Sequence, residues 1–172
     1  MRFIRTRYGL SLVLLVTLGT ASCAGILSWA TVYSSRAPDG KAELRVQETG
    51  CFADCALRII VKQGWSTTKI ASASDCVVFF AHAAWKGSRV VVYVDGGYCG
   101  PVKAAYDTAT GEKINFESLE PMLRSSIVNT YSVTTDELKA HGGDVLAWAT
   151  YPGDGLSHRG PEEFRKRFKQ GP

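Results

Sequence analysis

The amino-acid sequence predicts an α+β domain, with an antiparallel sheet of five to seven strands and one or two helices on one face, following an N-terminal transmembrane or signal segment. Segments between residues 42 and 116 alternate apolar and polar side chains, which is the period of half-buried strands. After residue 116 the apolar residues recur at helical spacing instead. A small β-sandwich or barrel with helical decoration is the alternative fold.

Residues 1–35 have the pattern of a membrane or export segment. Arg2, Arg5 and Arg7 precede an uncharged run from Gly9 to Ser35. A membrane-spanning helix needs about 20 apolar residues, so the run is long enough to cross a bilayer. The positive-inside rule places the arginines in the cytoplasm and the rest of the chain outside it. The sequence therefore predicts a signal anchor.

A second form of anchoring involves Cys23. The segment Thr20-Ala21-Ser22-Cys23 resembles a bacterial lipobox, in which the cysteine is lipidated and becomes the first residue. The resemblance implies that Cys23 carries a lipid. A cleaved, soluble product is the third alternative. The expected localisation is the inner membrane with a periplasmic domain, or a lipid-anchored protein of the envelope.

The exported part of the chain is nearly neutral. Three of the 20 basic residues and none of the 16 acidic residues precede residue 36, which leaves 17 bases against 16 acids. We expect residues 36–158 to form one globular domain and residues 159–172 to form a basic tail, as a frayed helix. Nucleic-acid binding requires a concentrated basic face, and the body shows none along its sequence. No nucleic-acid partner and no cofactor are therefore predicted.

Four cysteines follow Cys23, namely Cys51, Cys55, Cys76 and Cys99. Thiols oxidise outside the cytoplasm, so four cysteines in an exported domain predict two disulfides. Their spacing alone does not choose among the three pairings.

The first predicted elements are a turn and three strands. Residues 37–41 (APDGK) form the turn, because proline presets one φ angle and glycine accepts a positive one. Residues 42–48 and 56–62 alternate as strands, with Leu44, Val46, Leu57, Ile59 and Val61 facing inward. Arg45, Gln47, Arg58 and Lys62 face outward. Residues 69–73 form a short further strand.

The strongest hairpin signal joins residues 76–81 (CVVFFA) to residues 89–94 (RVVVYV). If Gly87-Ser88 is a two-residue type II′ turn, Lys86 pairs with Arg89 and Cys76 falls opposite Cys99. This register predicts the bridge Cys76–Cys99 and, by exclusion, Cys51–Cys55. If the glycines at 96 and 97 bend the strand, two bridges from residues 51 and 55 to residues 76 and 99 are the alternative.

A second hairpin and the helices complete the domain. Residues 102–107 and 113–116 alternate around a turn at 107–111. A helix capped by Ser118 runs to about residue 129, and Thr134 with Glu137 forms a capping box for a short helix that ends at Gly142. Residues 144–151 (DVLAWATY) are predicted to form a final strand.

No motif identifies a reaction. The spacing of Cys51 and Cys55 is similar to that of Sco-type copper chaperones, and this resemblance implies a Cu(I) site completed by His82 or His141. A structural disulfide is the favoured interpretation, so no metal is predicted.

The aromatic residues Tyr98, Trp65 and Trp85 are the candidate contacts for a partner, because rigid aromatic side chains suit binding surfaces. The predicted function is a membrane-tethered, extracytoplasmic binding or accessory domain of the bacterial cell envelope, without catalysis. Its partner is a protein or an envelope polymer. The alternatives are a small extracytoplasmic hydrolase with an unrecognised site, and the thiolate copper or redox site.

Overall fold

The computed structural model describes residues 29–49 and 55–149, and for Tyr98 the backbone only. Within these ranges the chain forms eight strands and three α-helices. The strands are β1 (Trp29–Arg36), β2 (Ala42–Thr49), β3 (Ala56–Gln63), β4 (Ser66–Ser74), β5 (Phe80–Lys86), β6 (Arg89–Asp95), β7 (Pro101–Asp107) and β8 (Glu112–Lys113). The helices are α1 (Glu120–Tyr131), α2 (Thr135–Ala140) and α3 (Val145–Ala149), and 3-10 turns cover Gly97–Cys99 and Phe116–Ser118.

The strands form two antiparallel sheets of four. Sheet 1 has the order β1-β2-β3-β4, and sheet 2 has the order β5-β6-β7-β8. Each strand pairs with its sequence neighbour, because short turns join antiparallel strands without crossovers. β1 lies against β5 and β4 lies against β7, so the two sheets face each other.

Sheet 2 is the middle layer of the domain. One apolar cluster lies between the sheets and includes Leu44, Ile59 and Val92. A second cluster lies between sheet 2 and the helices and includes Val91 and Leu123. Strands buried on both faces are apolar at consecutive positions. This burial explains the uninterrupted apolar run of β6, whereas β2 and β3 alternate because only one of their faces is covered.

The predicted α+β class with antiparallel strands is confirmed, but the strands do not form the single sheet of five to seven that the sequence suggested. They divide into two sheets after β4. Asp75 adopts a positive φ of 57° directly after this strand, and the chain then passes to sheet 2. The structure thus combines features of both predicted folds, a sandwich of two sheets and a helical layer on one side.

Strand β1 covers residues 29–35, which the sequence analysis assigned to the membrane segment. Tyr33 and Ser35 point toward sheet 2. The Tyr33 hydroxyl accepts a hydrogen bond from the Ala83 amide at 2.9 Å, and Ser35 Oγ accepts one from Trp85 Nε1 at 3.0 Å. Residues 29–35 therefore belong to the folded domain. Residues 1–28 lie outside the described part of the chain.

The segment predicted as a final strand, residues 144–151, contains helix α3 over residues 145–149. The Asp144 carboxylate accepts a hydrogen bond from the Leu146 amide at 2.8 Å, and the Asp144 carbonyl accepts one from the Trp148 amide at 2.9 Å. The aspartate therefore satisfies amide groups at the start of the helix, as an N-cap residue does. Residues 150–172, including the predicted tail at 159–172, lie outside the described residues.

Several local predictions are confirmed. Lys86 pairs with Arg89, and the same register continues to Phe80 and Asp95, although β5 begins at Phe80 and not at residue 76. The capping box of Thr134 and Glu137 is present. Helix α1 begins one residue later than predicted, since Leu119 and not Ser118 occupies its N-cap position. In the described ranges, none of the helices has the length and apolar character required to span a bilayer.

Candidate functional site

The outer face of sheet 1, which points away from sheet 2, is strongly basic. Alternation along each strand and the register between strands determine which side chains share this face. One row across the sheet contains Thr31, Gln47, Arg58 and Ser72. The cations at outward positions are Arg36, Arg45, Arg58, Lys62 and Lys69, and we call these five residues and the surface between them the basic face.

Among the described residues of these four strands, Glu43 is the one acid at an outward position. It stands between Arg36 on β1 and Lys62 on β3 in the register. Arg45 Nη2 lies 2.7 Å from Glu43 Oε2. The hydrogen bond from Arg45 lowers the pKa of Glu43, and the charges of Arg45, Arg36 and Lys62 lower this pKa further. Three cations thus lie close to this carboxylate, and Arg58 and Lys69 add two further positive charges, so the face keeps a positive excess.

Arg58 is held in place at the centre of this face. Its Nε donates to Gln47 Oε1 at 2.8 Å, and Gln47 Nε2 donates to Thr31 Oγ1 at 3.0 Å. The guanidinium carbon lies 4.1 Å from the centre of the Trp29 ring, a cation–π distance. Two direct contacts therefore orient Arg58, and Thr31 in turn holds Gln47. The structure records no acidic partner for Arg58 among the described residues.

A cleft of about 500 Å³ opens beside Arg58. Small outward residues of β3 and β4, namely Ala56, Ser72 and Ser74, form its floor because they leave space that larger side chains would fill. Trp29, Arg58 and Lys69 also line the cleft. Lys69, Ser72 and Ser74 are exposed, so the cleft combines two cations, two hydroxyls and an aromatic ring within reach of solvent.

A different pair of groups lies between sheet 2 and α1. His82 Nε2 lies 2.9 Å from Ser126 Oγ, which is hydrogen-bond distance. His82 is only 5% exposed, and the ring stacks on Phe80 and meets the edge of Tyr131 at centroid distances of 6.5 Å and 5.5 Å. Burial among these rings lowers the pKa of His82 to about 4.

The low pKa of His82 makes it a poor general base near neutral pH, because proton transfer is most efficient when the pKa of the base lies near the working pH. A hydrolytic site also needs a third group that orients the histidine. The structure records Ser126 as the hydrogen-bond partner of His82 and shows no carboxylate bonded to it within the described residues. The pair therefore fits a buried structural contact better than a catalytic one.

The predicted disulfide between Cys76 and Cys99 is confirmed, with the two Cα atoms 5.3 Å apart. The alternative with both bridges running from residues 51 and 55 to residues 76 and 99 is therefore wrong. Cys55 stands immediately before β3, where its carbonyl accepts a hydrogen bond from the Cys76 amide at 3.1 Å. Cys51 lies outside the described residues, and the pairing Cys51–Cys55 stays a prediction.

Replacing both Cys76 and Cys99 with serine is expected to lower the free energy of unfolding by about 3 kcal/mol, because the bridge closes a loop over a sequence separation of 23 residues and restricts the unfolded chain. Urea unfolding of the wild-type and Cys76→Ser/Cys99→Ser chains measures this difference. Both chains measured with dithiothreitol are the matched control, and their stabilities should then agree. Equal midpoints of the two chains without dithiothreitol would contradict the prediction.

The other predicted site residues are not brought together. Trp65 is fully exposed in the turn between β3 and β4. Trp85 is half-buried against sheet 1 through its bond to Ser35. The side chain of Tyr98 and all of Cys23 lie outside the described residues. Within the described ranges no three His, Cys, Asp or Glu side chains gather as a metal site would require.

Sequence analysis missed the basic face, although it placed Arg45, Arg58 and Lys62 at outward positions. Arg36 and Trp29 were assigned to the chain around the membrane segment and not to a strand. Summing charge along the body hid the face, because acids elsewhere cancel the cations in a linear count. A charge count restricted to the outward positions of paired strands would have revealed the basic face.

Comparisons with known protein families, curated proteins and solved structures found no match for this chain. The class that the fold and site define is an α+β domain of two stacked antiparallel sheets, with helices on one side and a basic sheet face on the other.

Proposed function

We propose that the chain is a membrane-tethered, extracytoplasmic binding domain of the bacterial cell envelope that holds an anionic envelope polymer and performs no catalysis. The observation that carries this proposal is the charge of the outer face of sheet 1, where five cations accompany one acid. Such an excess repels itself unless an anionic partner or counterions neutralise it.

The arrangement of the charges favours a polymer over a small ion. Neighbouring strands lie about 4.8 Å apart, and successive outward residues along one strand lie about 7 Å apart. The five cations are therefore spread over several rows of all four strands, and together they match a chain that carries repeated negative charges. A single small ion would contact only one or two of them.

The tether follows from the uncharged run before β1. On this proposal residues up to Ser28, or a lipid on Cys23, anchor the chain, and the domain begins at Trp29. A five-residue connection from Cys23 reaches at most about 18 Å. Either anchor would keep the basic face close to the membrane, where envelope polymers are attached or assembled.

The binding test uses the full chain reconstituted in nanodiscs and a long polyanion such as polygalacturonate. The triple variant Arg36→Gln/Lys62→Gln/Lys69→Gln should bind at least tenfold more weakly than the wild type. It should also lose affinity less steeply with salt, since each neutralising cation releases counterions on binding. Calorimetric titration at several salt concentrations measures both quantities.

The matched control is Lys86→Gln/Lys113→Gln/Lys139→Gln, which removes the same charge from exposed lysines of sheet 2 and α2. This control should bind within twofold of the wild type. Equal losses in both triple variants would show that net charge alone governs binding. An absence of binding by the wild type would overturn the proposed function.

A hydrolase is the second candidate, and the observation that favours it is the distance of 2.9 Å between Ser126 Oγ and His82 Nε2. An activated serine reacts with a fluorophosphonate, and an ordinary surface serine does not. Covalent labelling of Ser126 that disappears in a His82→Gln chain would favour the hydrolase over the binding domain.

A further inference from the structure

We propose that the cleft beside Arg58 is a subsite for one anionic sugar unit, meaning a sugar ring that bears a carboxylate or a phosphate. This inference rests on the proposed function and gives it a specific contact point. Without such a subsite, the basic face would hold any polyanion by charge alone. The cleft supplies shape and hydrogen-bonding groups that charge alone does not.

The anionic group of the unit is received by Arg58 and Lys69. The two residues lie on adjacent strands and in adjacent rows, because Arg58 pairs with Ser72 while Lys69 pairs with Ile60. Arg58 is oriented by Gln47 and Trp29, so its terminal nitrogens are presented without the cost of fixing a mobile side chain. Lys69 is exposed, also lines the cleft and adds a second charge from the neighbouring strand β4.

The sugar ring is received by the floor and the Trp29 side of the cleft. Ser72 and Ser74 each carry a hydroxyl that both donates and accepts, which suits the hydroxyl groups of a sugar. Ala56 leaves space above β3. Trp29 supplies an apolar surface at the same end of the sheet. A volume of about 500 Å³ lies in the range of small-molecule sites.

The cleft is suited to a unit within a longer chain. β4 is an edge strand of sheet 1, so nothing in the described sheet continues beyond Ser72 and Ser74. An occupant can therefore extend past the edge strand. Its other end can follow the basic face toward Lys62 on β3 and Arg36 on β1, which flank Glu43 on the intervening strand β2.

The test compares short probes on the full chain in nanodiscs by calorimetric titration. The probes are tetragalacturonate, glucose 1-phosphate, the neutral maltotetraose and inorganic phosphate. At least one anionic sugar should bind, and maltotetraose and inorganic phosphate should each bind at least tenfold more weakly than it does. The two anionic probes distinguish a carboxylate from a phosphate on the ring.

Two variants with matched controls locate the site. Ser72→Leu fills the cleft without changing its charge and should weaken binding of the anionic sugar at least tenfold. Thr67→Leu, an exposed outward position of the same strand beyond the cleft, should leave its affinity within twofold. Lys69→Gln should weaken binding of the sugar at least fivefold, whereas Lys86→Gln, which removes an exposed lysine of sheet 2, should change it less than twofold.

Other outcomes overturn either the inference or the proposed function. Equal binding of inorganic phosphate indicates a simple anion site, and equal binding of maltotetraose removes the role of charge. Equal effects of Ser72→Leu and Thr67→Leu place the sugar elsewhere. If long polyanions bind while the short sugars do not, the cleft inference fails and the proposed function stands. If the short sugar binds and no polymer does, the proposed function fails instead.

Discussion

Replacing Trp148 with alanine is expected to lower the free energy of unfolding by about 3–5 kcal/mol, the range for truncating a large buried aromatic side chain. Trp148 is fully buried in the cluster between sheet 2 and the helices, and its ring lies 5.8 Å from the centre of the Tyr131 ring. Helix α3 has five residues, too few for stability in isolation. Its packing therefore depends on this side chain. Denaturant unfolding measures the loss.

The control for this experiment is Trp65→Ala. Trp65 is fully exposed, so its removal should change the free energy of unfolding by less than about 0.5 kcal/mol. The two variants delete the same atoms and differ only in burial. A loss of under 1 kcal/mol for Trp148→Ala, or equal losses for both, would contradict the packing described for α3.

Helix α3 also shows where a local sequence pattern is insufficient. The run from residue 145 to 149 is short and apolar, and periodicity alone does not separate a buried strand from a buried helical turn of this length. The Asp144 carboxylate accepts from the Leu146 amide and forms an ion pair with Arg124 on α1. The ion pair joins two helices, and this tertiary contact was not visible in the sequence.

The β-hairpins were predictable because local geometry determines them. A two-residue turn at Gly87-Ser88 sets the register of β5 and β6, and that register brings Cys76 toward Cys99. Alternation in β2 and β3 identified the residues that face sheet 2. The division into two sheets was not predictable, since it depends on the path between β4 and β5 and on which faces then cover each other.

The candidate site was predictable only in part. Arg45, Arg58 and Lys62 were placed on outward faces, but their assembly with Arg36 and Lys69 requires the register of four strands. The cleft depends on small residues at paired positions, and a small residue gives no signal of a site by itself. Trp29 was hidden in the uncharged run, where an interfacial membrane position explained it equally well.

Acidification is expected to destabilise the fold through His82. Its pKa in the folded chain is about 4, and its ordinary value is 6.5. Below pH 6.5 the unfolded chain binds the proton more readily than the folded one, so the contribution of neutral His82 is present above that pH. It is lost as the pH falls, by about 3 kcal/mol once pH 4 is reached. Unfolding measured from pH 7 to pH 4 follows this loss.

Two variants separate the histidine from the carboxylates that also titrate in acid, such as Asp144, whose pKa the hydrogen bond from Arg124 lowers. His82→Gln removes the titrating group and should flatten the change between pH 6.5 and 4. The Ser126→Ala chain should keep the same loss of stability between pH 6.5 and 4, because burial and not the hydrogen bond lowers the pKa of His82. If the His82→Gln chain loses as much stability as the wild type over this interval, His82 does not control the acid sensitivity. The layer between sheet 2 and α1 would then have to tolerate a charged imidazole.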